Sequence, residues 1–280
     1  MAAGSPYGAF QCITATFATE SVLTVQLNRS KQRNAMNPRM WDEIGECFRA
    51  VRADPDVRVV VLSGSGGAFS AGLDLKESPS DLLSSGNRDA SRQAYRLRTL
   101  VLNLQASFTA IQDCDKPVIA AVHGVCIGSG VDMLTACDIR YCSADAIFSV
   151  KEVDLGLAAD VGTLQRLQKV VGSDSWVREV CFTARHFGSD EALMQGLVSR
   201  VFPNPQALTD AALELATSIA AKSPVAVMGT KHLLNYSRDH TVSEGLAYTA
   251  VWNAAMLQSK DLTKAIAAGL TKKPTTFAKL

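Results

Sequence analysis

The first part of the chain alternates between apolar and polar positions, as expected for a strand buried on one face. Residues 21–27 show this alternation, and a polar loop follows through Asn34. Asn37 and Pro38 have the residue types of an N-cap and a first helical position, and apolar side chains then recur at helical spacing to about Arg52. The pattern therefore predicts a strand, a loop and an amphipathic helix. The apolar side of this helix would carry Met40, Trp41, Ile44, Phe48 and Val51.

Strand and helix patterns continue through the middle of the chain. Short apolar runs predict further strands at 57–62, 116–124, 138–142, 146–150 and 197–202. Helical patterns lie at about 90–114, 161–171, 173–183 and 189–195. This order fits a repeated right-handed winding of strand, strand and helix better than the alternating order of a Rossmann sheet. We therefore expect an α/β protein.

The pattern changes after residue 203. From 205 to 269 the chain is rich in Ala and Leu and helical throughout, with Pro224 separating two helices and a capping box at Thr241-x-x-Glu244. Helices with apolar faces more often cover their own or a neighbour's core than carry chemistry. We divide the chain into a core at 1–203 and a helical region at 204–280.

Size and charge limit the possible functions. The chain has 280 residues, of which 47% are hydrophobic and 20% charged, so it can bury one sizeable domain or one domain with an appendage. The net charge is +1 without basic runs, which argues against nucleic acid as a partner. No apolar stretch has the length of a membrane span.

The seven cysteines are typical of buried, reduced thiols, because their number is odd, no C-x-x-C pair occurs and their surroundings are apolar. With neither C-x-x-C pairs nor an H-E-x-x-H motif, we expect no metal and no redox cofactor. Residues 1–10 have the composition of a loose lead-in and lack the apolar centre of a signal peptide.

A glycine-rich passage at 63–75 would let the backbone approach a ligand closely. It lacks the G-x-G-x-x-G spacing of a dinucleotide site, and a plain surface loop is the alternative to an anion-binding one. The preceding polar loop contains Arg29, Lys31 and Arg33, which could contact phosphates or simply face water. Residues 77–89 are Ser- and Asp-rich and predict a mobile excursion.

A second feature of this kind follows the strand at 116–124. Gly128, Ser129 and Gly130 mark a helix start, where the amide of Ser129 could stabilise a negative oxygen. Asp132 falls in the first turn of that helix, where compensation of the helix dipole is the ordinary role of an acid. His123 is more often a structural histidine than a base.

Glu152 and Asp160 flank an apolar, glycine-containing connection and are the candidate acid–base pair. Loss of water would raise their pKa values toward neutrality, where a carboxyl group both takes and gives protons. Each has an ordinary alternative, since Asp160 could be an N-cap and Glu152 could pair with Lys151 or Arg140. Asp154, between them, would only face water.

These motifs resemble those of the crotonase superfamily, the enoyl-CoA hydratases and isomerases, over residues 22–270. The segments that carry the resemblance are Phe-Ser-Ala-Gly-Leu-Asp-Leu at 69–75 and His-Gly-x-x-x-Gly-x-Gly-x-Asp at 123–132. The resemblance implies a ββα superhelix with a C-terminal helical trimerisation region, assembled as a trimer or a dimer of trimers. It also implies an acyl-CoA thioester substrate, whose oxygen the amides of Leu73 and Ser129 would hold. The carbonyls of Ser70 and Ala71 would contact the adenine, and Arg29 and Lys31 are candidates for the phosphates. Coenzyme A would be part of the substrate, with no separate cofactor.

Within the superfamily the acids decide the reaction. Hydratases resemble this chain at Glu152, but they carry a glutamate in place of Asp132 and no acid in place of Asp160. The set Asp132, Glu152 and Asp160 resembles that of the dienoyl-CoA isomerase branch, which implies movement of a 3,5-diene into conjugation with the thioester during fatty-acid β-oxidation. Glu152 would act at C2 and Asp160 at C6, with Asp132 in support. The alternatives are a hydratase and a non-catalytic acyl-CoA-binding scaffold.

The last three residues, Ala278-Lys279-Leu280, are close to the Ser-Lys-Leu address that a peroxisomal import receptor reads. The preceding Pro-, Thr- and Lys-containing segment predicts a projecting, accessible tail. We therefore expect a peroxisomal protein rather than a mitochondrial one.

Overall fold

The computed structural model describes residues 6–8, 10–77 and 89–280. The segment 78–88, most of the predicted polar excursion, lies outside these residues, as do 1–5 and 9. Within the described ranges the strands are β1 (Ile13–Phe17), β2 (Val22–Leu27), β3 (Val59–Gly64), β4 (Ala68–Ser70), β5 (Val118–Val122), β6 (Val125–Ile127), β7 (Ile139–Ser143), β8 (Ile147–Ser149), β9 (Phe187–Gly188) and β10 (Arg200–Phe202). The helices are α1 (Pro38–Ala53), α2 (Ala90–Asp113), α3 (Ser129–Thr135), α4 (Thr163–Val170), α5 (Asp174–Thr183), α6 (Ser189–Met194), α7 (Pro205–Ala220), α8 (Pro224–Ser237), α9 (Val242–Met256) and α10 (Lys260–Thr271).

Two sheets form the framework. The larger has the order β1-β2-β3-β5-β7-β10 and is parallel except for the edge strand β1, whereas the smaller has the order β4-β6-β8-β9 with β9 antiparallel. The pairs β3–β4, β5–β6 and β7–β8 each contribute one strand to either sheet before a helix follows. This is the predicted ββα winding, and it brings the ends of β4, β6 and β8 together.

Helix α1 forms as predicted. Asn37 is its N-cap and accepts a hydrogen bond from the backbone N–H of Met40 at 2.9 Å, while Pro38 is the first helical residue. The expected apolar face is buried, and the ring of Trp41 lies 4.4 Å from that of Phe108 on α2. All seven cysteines are free and buried, as predicted.

The C-terminal region contributes its first helix to the core. Leu208, Ala212 and Ala216 of α7 are buried against the larger sheet, where they contact the side of β3 that carries Val59 and Val61. The boundary at 203 stays a prediction. Among the described residues no single helix is long and apolar enough to cross a membrane, and α7 with α8 passes that test only as a pair bent by 109°.

Both ends of the described chain are more anchored than predicted. Tyr7 is buried and its hydroxyl donates to Asp54 at 2.8 Å, so the lead-in is not loose throughout. The C-terminal tail lies against the body of the protein and does not project as expected, but its last three residues are exposed, as expected of an accessible tail. Arg58 donates to the carbonyl of Phe277 at 2.6 Å, because an extended segment has free carbonyls that a neighbouring guanidinium can bind. Lys279 forms an ion pair with Asp56.

Candidate active site

Glu152 is a buried carboxylate that has no cationic partner among the described residues. It is the first residue of a short 3-10 helix after β8 and is 9% exposed. The ion-pair alternative is wrong, because Lys151 pairs with Asp154 at 2.5 Å and Arg140 donates to the carbonyl of Leu197 at 2.7 Å. Among the described residues Oε2 of Glu152 has no hydrogen-bond partner. Burial of this kind raises the pKa of the carboxyl group, which makes the carboxylate a stronger base.

Asp132 lies in the first turn of α3 and is fully buried. Its Oδ1 accepts a hydrogen bond from the backbone N–H of Thr163, the first residue of α4. Its Oδ2 is buried with no partner within the described chain. Asp132 therefore caps a helix that begins 31 residues later, and one of its oxygens is left available for a proton.

Asp160 is not the N-cap of α4, which corrects one of the two interpretations from sequence. The helix begins at Thr163, its N-cap is Gly162, and the capping oxygen comes from Asp132. Asp160 lies in an irregular segment, partly exposed, between the buried Ala159 and Val161. Its carboxylate is thus free of a structural role in the helix.

Burial raises the pKa values of all three acids. Loss of water is the largest cause for each, and it raises the pKa of Asp132 to about 7 together with repulsion from Glu152 and Asp160. The pKa of Glu152 is raised by burial and then by the charge of Asp160. The three carboxylates therefore influence one another electrostatically, and each holds its proton to a higher pH than an exposed acid would.

Two glycines bring the predicted oxyanion-hole loops together. A Cβ atom on Gly72 would lie 2.8 Å from the carbonyl oxygen of Ile127, and one on Gly128 would lie 3.2 Å from Oε1 of Glu152. Their φ angles are +86° and +51°, in the region that favours glycine. The loop bearing Leu73 thus contacts the entrance of α3, with the Glu152 carboxylate beside the Ser129 turn.

The amides of Leu73 and Ser129 are placed by their neighbours. Met36 forms a parallel bridge with Leu73, donating to the carbonyl of Gly72 at 2.7 Å and accepting from the N–H of Asp74 at 3.1 Å. Ser129 opens α3, so its N–H precedes the first intrahelical hydrogen bond. Its hydroxyl is buried without a partner in the described part of the chain, as is that of Thr163. Unpaired buried polar atoms are costly and point to a site that receives a ligand.

The remaining candidate residues hold the glycine-rich loop. The hydroxyl of Ser70 donates to the carbonyl of Asn34 at 2.9 Å, and the N–H of Ala71 donates to that of Arg33 at 2.9 Å. Arg29 is largely buried and pairs with Asp74 at 2.8 Å. A contact of Arg29 or of the carbonyls of Ser70 and Ala71 with CoA stays a prediction, as does that of the exposed Lys31.

His123 is structural, as expected, with Nε2 2.8 Å from the carbonyl oxygen of Gly66.

Sequence reasoning missed Asn34, which is fully buried and donates to the carbonyls of Ser65 at 3.0 Å and Ala68 at 2.8 Å. It also missed Thr163. Within the described ranges, no group of three or more His, Cys, Asp or Glu side chains is arranged to hold a metal ion.

The family profile for enoyl-CoA hydratase/isomerase matches residues 18–279. The chain belongs to this family. It is 54% identical over 274 residues to the mitochondrial Delta(3,5)-Delta(2,4)-dienoyl-CoA isomerase of Rattus norvegicus, covering 97% of this chain and 84% of the relative. It is 47% identical over 262 residues to the peroxisomal Delta(3,5)-Delta(2,4)-dienoyl-CoA isomerase of Arabidopsis thaliana, covering 93% of this chain and 94% of the relative.

Solved structures of the family share the fold. The crystal structure of a putative enoyl-CoA hydratase from Streptomyces coelicolor A3(2) superposes with a TM-score of 0.88 at 25% identity, covering 99% of this chain and 98% of the other. The crotonase fold predicted from the motifs is therefore confirmed. Relatives in the family are both mitochondrial and peroxisomal, so the family does not decide the compartment.

Proposed function

We propose that this chain isomerises 3,5-dienoyl-CoA to 2,4-dienoyl-CoA in fatty-acid β-oxidation. The observation that carries the proposal is the cluster of Asp132, Glu152 and Asp160, whose pKa values burial raises toward neutrality beside the amides of Leu73 and Ser129. Relatives with the same activity in their names, at about half identity over nearly the whole chain, support it.

The reaction removes a proton from C2 and returns one to C6. In the proposal the carboxylate of Glu152 takes the C2 proton, and the electrons of that C–H bond move toward the thioester to form a trienolate conjugated from C1 to C6. Hydrogen bonds from Leu73 and Ser129 stabilise its oxygen, each contributing about 3 kcal/mol by analogy with other oxyanion holes. Protonated Asp160 then delivers a proton to C6, and proton exchange with water resets both acids. Asp132 supports the site in two ways. Its charge influences the neighbouring acids, and it accepts a hydrogen bond from the N–H of Thr163, the first residue of α4.

The test is the absorbance of conjugated dienoyl-CoA formed from 3,5-dienoyl-CoA, together with deuterium exchange at C2 in D2O. Glu152→Gln should suppress both reactions, because no base remains for C2. Asp160→Asn should suppress product formation by about 10²–10⁴-fold while C2 exchange persists. Equal isomerisation rates for wild type and Asp160→Asn would refute the role of Asp160 in delivering a proton to C6. A 3-hydroxyacyl product from a 2-enoyl-CoA would instead identify a hydratase, and absence of C2 exchange in the wild type a scaffold.

No cofactor is required in this scheme, since only protons move and coenzyme A arrives with the substrate. We propose that activity is unchanged by chelators, which an assay with EDTA tests directly. Lys31 and Arg29 are the cations proposed for the CoA phosphates.

We also propose that the protein is a trimer or a dimer of trimers. Helices α9 and α10 carry large apolar side chains that are more than half exposed in the single chain, which a neighbouring subunit would cover. Light scattering after size-exclusion chromatography measures the mass, and a monomer at micromolar concentration would contradict the proposal. These side chains are Val242, Leu246, Val251, Ile266 and Leu270.

For the compartment we propose the peroxisome, with Ala278-Lys279-Leu280 as the address for an import receptor. The proposal requires Leu280 to carry the free carboxylate in the cell and the tail to leave Asp56 and Arg58. Removing the tripeptide should abolish import and leave isomerase activity intact. Unchanged localisation of the truncated protein would refute the address.

A further inference from the structure

Helix α2 presents three polar side chains to the segment that carries Asp160. Gln105, Thr109 and Gln112 are spaced four and three residues apart, so they lie on one face of the helix. The Nε2 of Gln105 donates a hydrogen bond to the backbone carbonyl of Asp160 at 2.6 Å. This is a direct contact between α2 and the backbone of the proposed C6 acid.

Arg166 connects the same helix face to the next residue of the segment. Its Nε donates to Oε1 of Gln112 at 2.9 Å and its Nη2 to the hydroxyl of Thr109 at 3.0 Å. Its Nη1 lies 3.4 Å from the carbonyl oxygen of Val161, to which it donates. With Asp132 accepting from the N–H of Thr163, three of the four residues 160–163 are held from outside the segment.

The segment needs this support because it has little structure of its own. Residues 157–162 contain neither helix nor strand. Gly156, with φ of +76°, precedes the segment, and Gly162, with φ of +139°, is its last residue. The backbone there can therefore adopt conformations that other residues avoid. Within the described chain the Asp160 carboxylate interacts with its own backbone N–H, and no hydrogen bond to it from another residue is found, so its position depends on where this backbone lies.

We propose that Gln105 is a positioning residue for Asp160, fixing the carboxylate at the distance from C6 that proton delivery requires. The inference rests on the proposed function of Asp160. A displacement of about 1 Å at a reacting group can cost on the order of 100-fold in rate. Loss of the Gln105 hydrogen bond releases the first of the three anchored positions, which is the one that carries the acid.

The surroundings of Gln105 allow its removal without collapse of the core. A polar cavity of about 370 Å³ is lined by Gln105, Thr109, Gln112 and Arg166 together with Lys169 and Arg238 from α4 and the end of α8. Water in such a cavity can satisfy the groups that a substitution leaves unpaired. The effect on proton delivery is thus separable from an effect on folding.

The test compares Gln105→Met with Gln168→Met. Methionine keeps the length and volume of glutamine and removes the donor. Gln168 is the matched control, because its Nε2 also donates to a backbone carbonyl, that of Leu164 at 3.0 Å, on the exposed side of α4. Both variants are assayed as the full chain for isomerisation of 3,5-dienoyl-CoA and for C2 deuterium exchange.

Gln105→Met should lower the kcat for isomerisation at least ~10-fold, while KM and the rate of C2 exchange stay within about twofold of wild type. Gln168→Met should leave all three values at wild type. Gln105→Glu, which suits the polar cavity but cannot donate when ionised, should reproduce the split between isomerisation and exchange if the methionine variant folds poorly.

A displaced acid is expected to lower the isomerisation rate about tenfold or more. An isomerisation rate within about threefold of wild type in both Gln105 variants would therefore overturn the inference. So would a parallel fall of isomerisation and exchange, because that is the result of general structural damage. Failure of the wild type itself to isomerise 3,5-dienoyl-CoA would refute the proposed function, and so is distinguishable from failure of the positioning role alone.

Discussion

Replacing Asp132 with asparagine should stabilise the protein more at pH 8 than at pH 5. Asp132 is fully buried, and burial with repulsion from Glu152 raises its pKa to about 7. The unfolded chain has an aspartate pKa of about 3.9. Between these values the folded protein holds a proton that the unfolded chain has released, so stability falls as pH rises from about 4 to about 7 and then levels off.

The size of the effect follows from the two pKa values. At pH 8 the raised pKa costs about 4 kcal/mol of unfolding free energy, and at pH 5 about 2 kcal/mol. Asparagine has no charge to bury and keeps an oxygen that can accept from the N–H of Thr163. Any change in the strength of that hydrogen bond changes the free energy of unfolding of the asparagine variant by the same amount at every pH. The advantage of Asp132→Asn over wild type should therefore grow by about 2–3 kcal/mol between pH 5 and pH 8.

Urea denaturation at several pH values and one protein concentration measures this difference. The control is Asp154→Asn, which removes an exposed carboxylate that pairs with Lys151 at the surface, and whose effect should stay constant over the same range. A pH-independent difference in unfolding free energy between wild type and Asp132→Asn would show that the pKa of Asp132 is not raised in the folded protein. The three acids could then not be assigned to proton transfer on the basis of raised pKa values.

Four further substitutions test the loops around the site and the cap of α9. Gly72→Ala should lower turnover at least ~10-fold, because its methyl group would lie 2.8 Å from the carbonyl oxygen of Ile127 at the end of β6. Gly67→Ala, whose methyl group would have nothing within 4 Å, should leave turnover unchanged. Lys31→Ala should raise the KM for the CoA thioester at unchanged stability, and an unchanged KM would exclude the phosphate contact. Arg29→Ala should lower the free energy of unfolding by about 3 kcal/mol in urea denaturation, because the buried carboxylate of Asp74 loses its cation and keeps only backbone N–H donors. Thr241→Ala should cost about 1 kcal/mol in the same experiment, and no loss would discount the capping box.

Local patterns were sufficient where a few neighbouring residues decide the structure. The alternation at 21–27, the cap at Asn37 and the capping box at Thr241 all correspond to elements at those positions. The short strands β4 and β6 were missed, because three residues beside glycines are too few to show a period. Their partners lie far along the chain, and pairing rather than propensity makes them strands.

By itself the sequence determined the positions of most of the longer strands and helices and, through the resemblance that the glycine motifs carry, the fold, since each depends on residue type and short spacing. It also predicted that Asp132, Glu152 and Asp160 belong to the site. Only the tertiary structure decided what those acids do for the fold. Asp132 caps α4 across 31 residues, which frees Asp160 from that role. Lys151 pairs locally with Asp154, which leaves Glu152 buried with no cation beside it in the part of the chain that the structure describes. Such assignments depend on which groups packing brings within hydrogen-bonding distance, and burial then sets the proton affinities of the carboxylates.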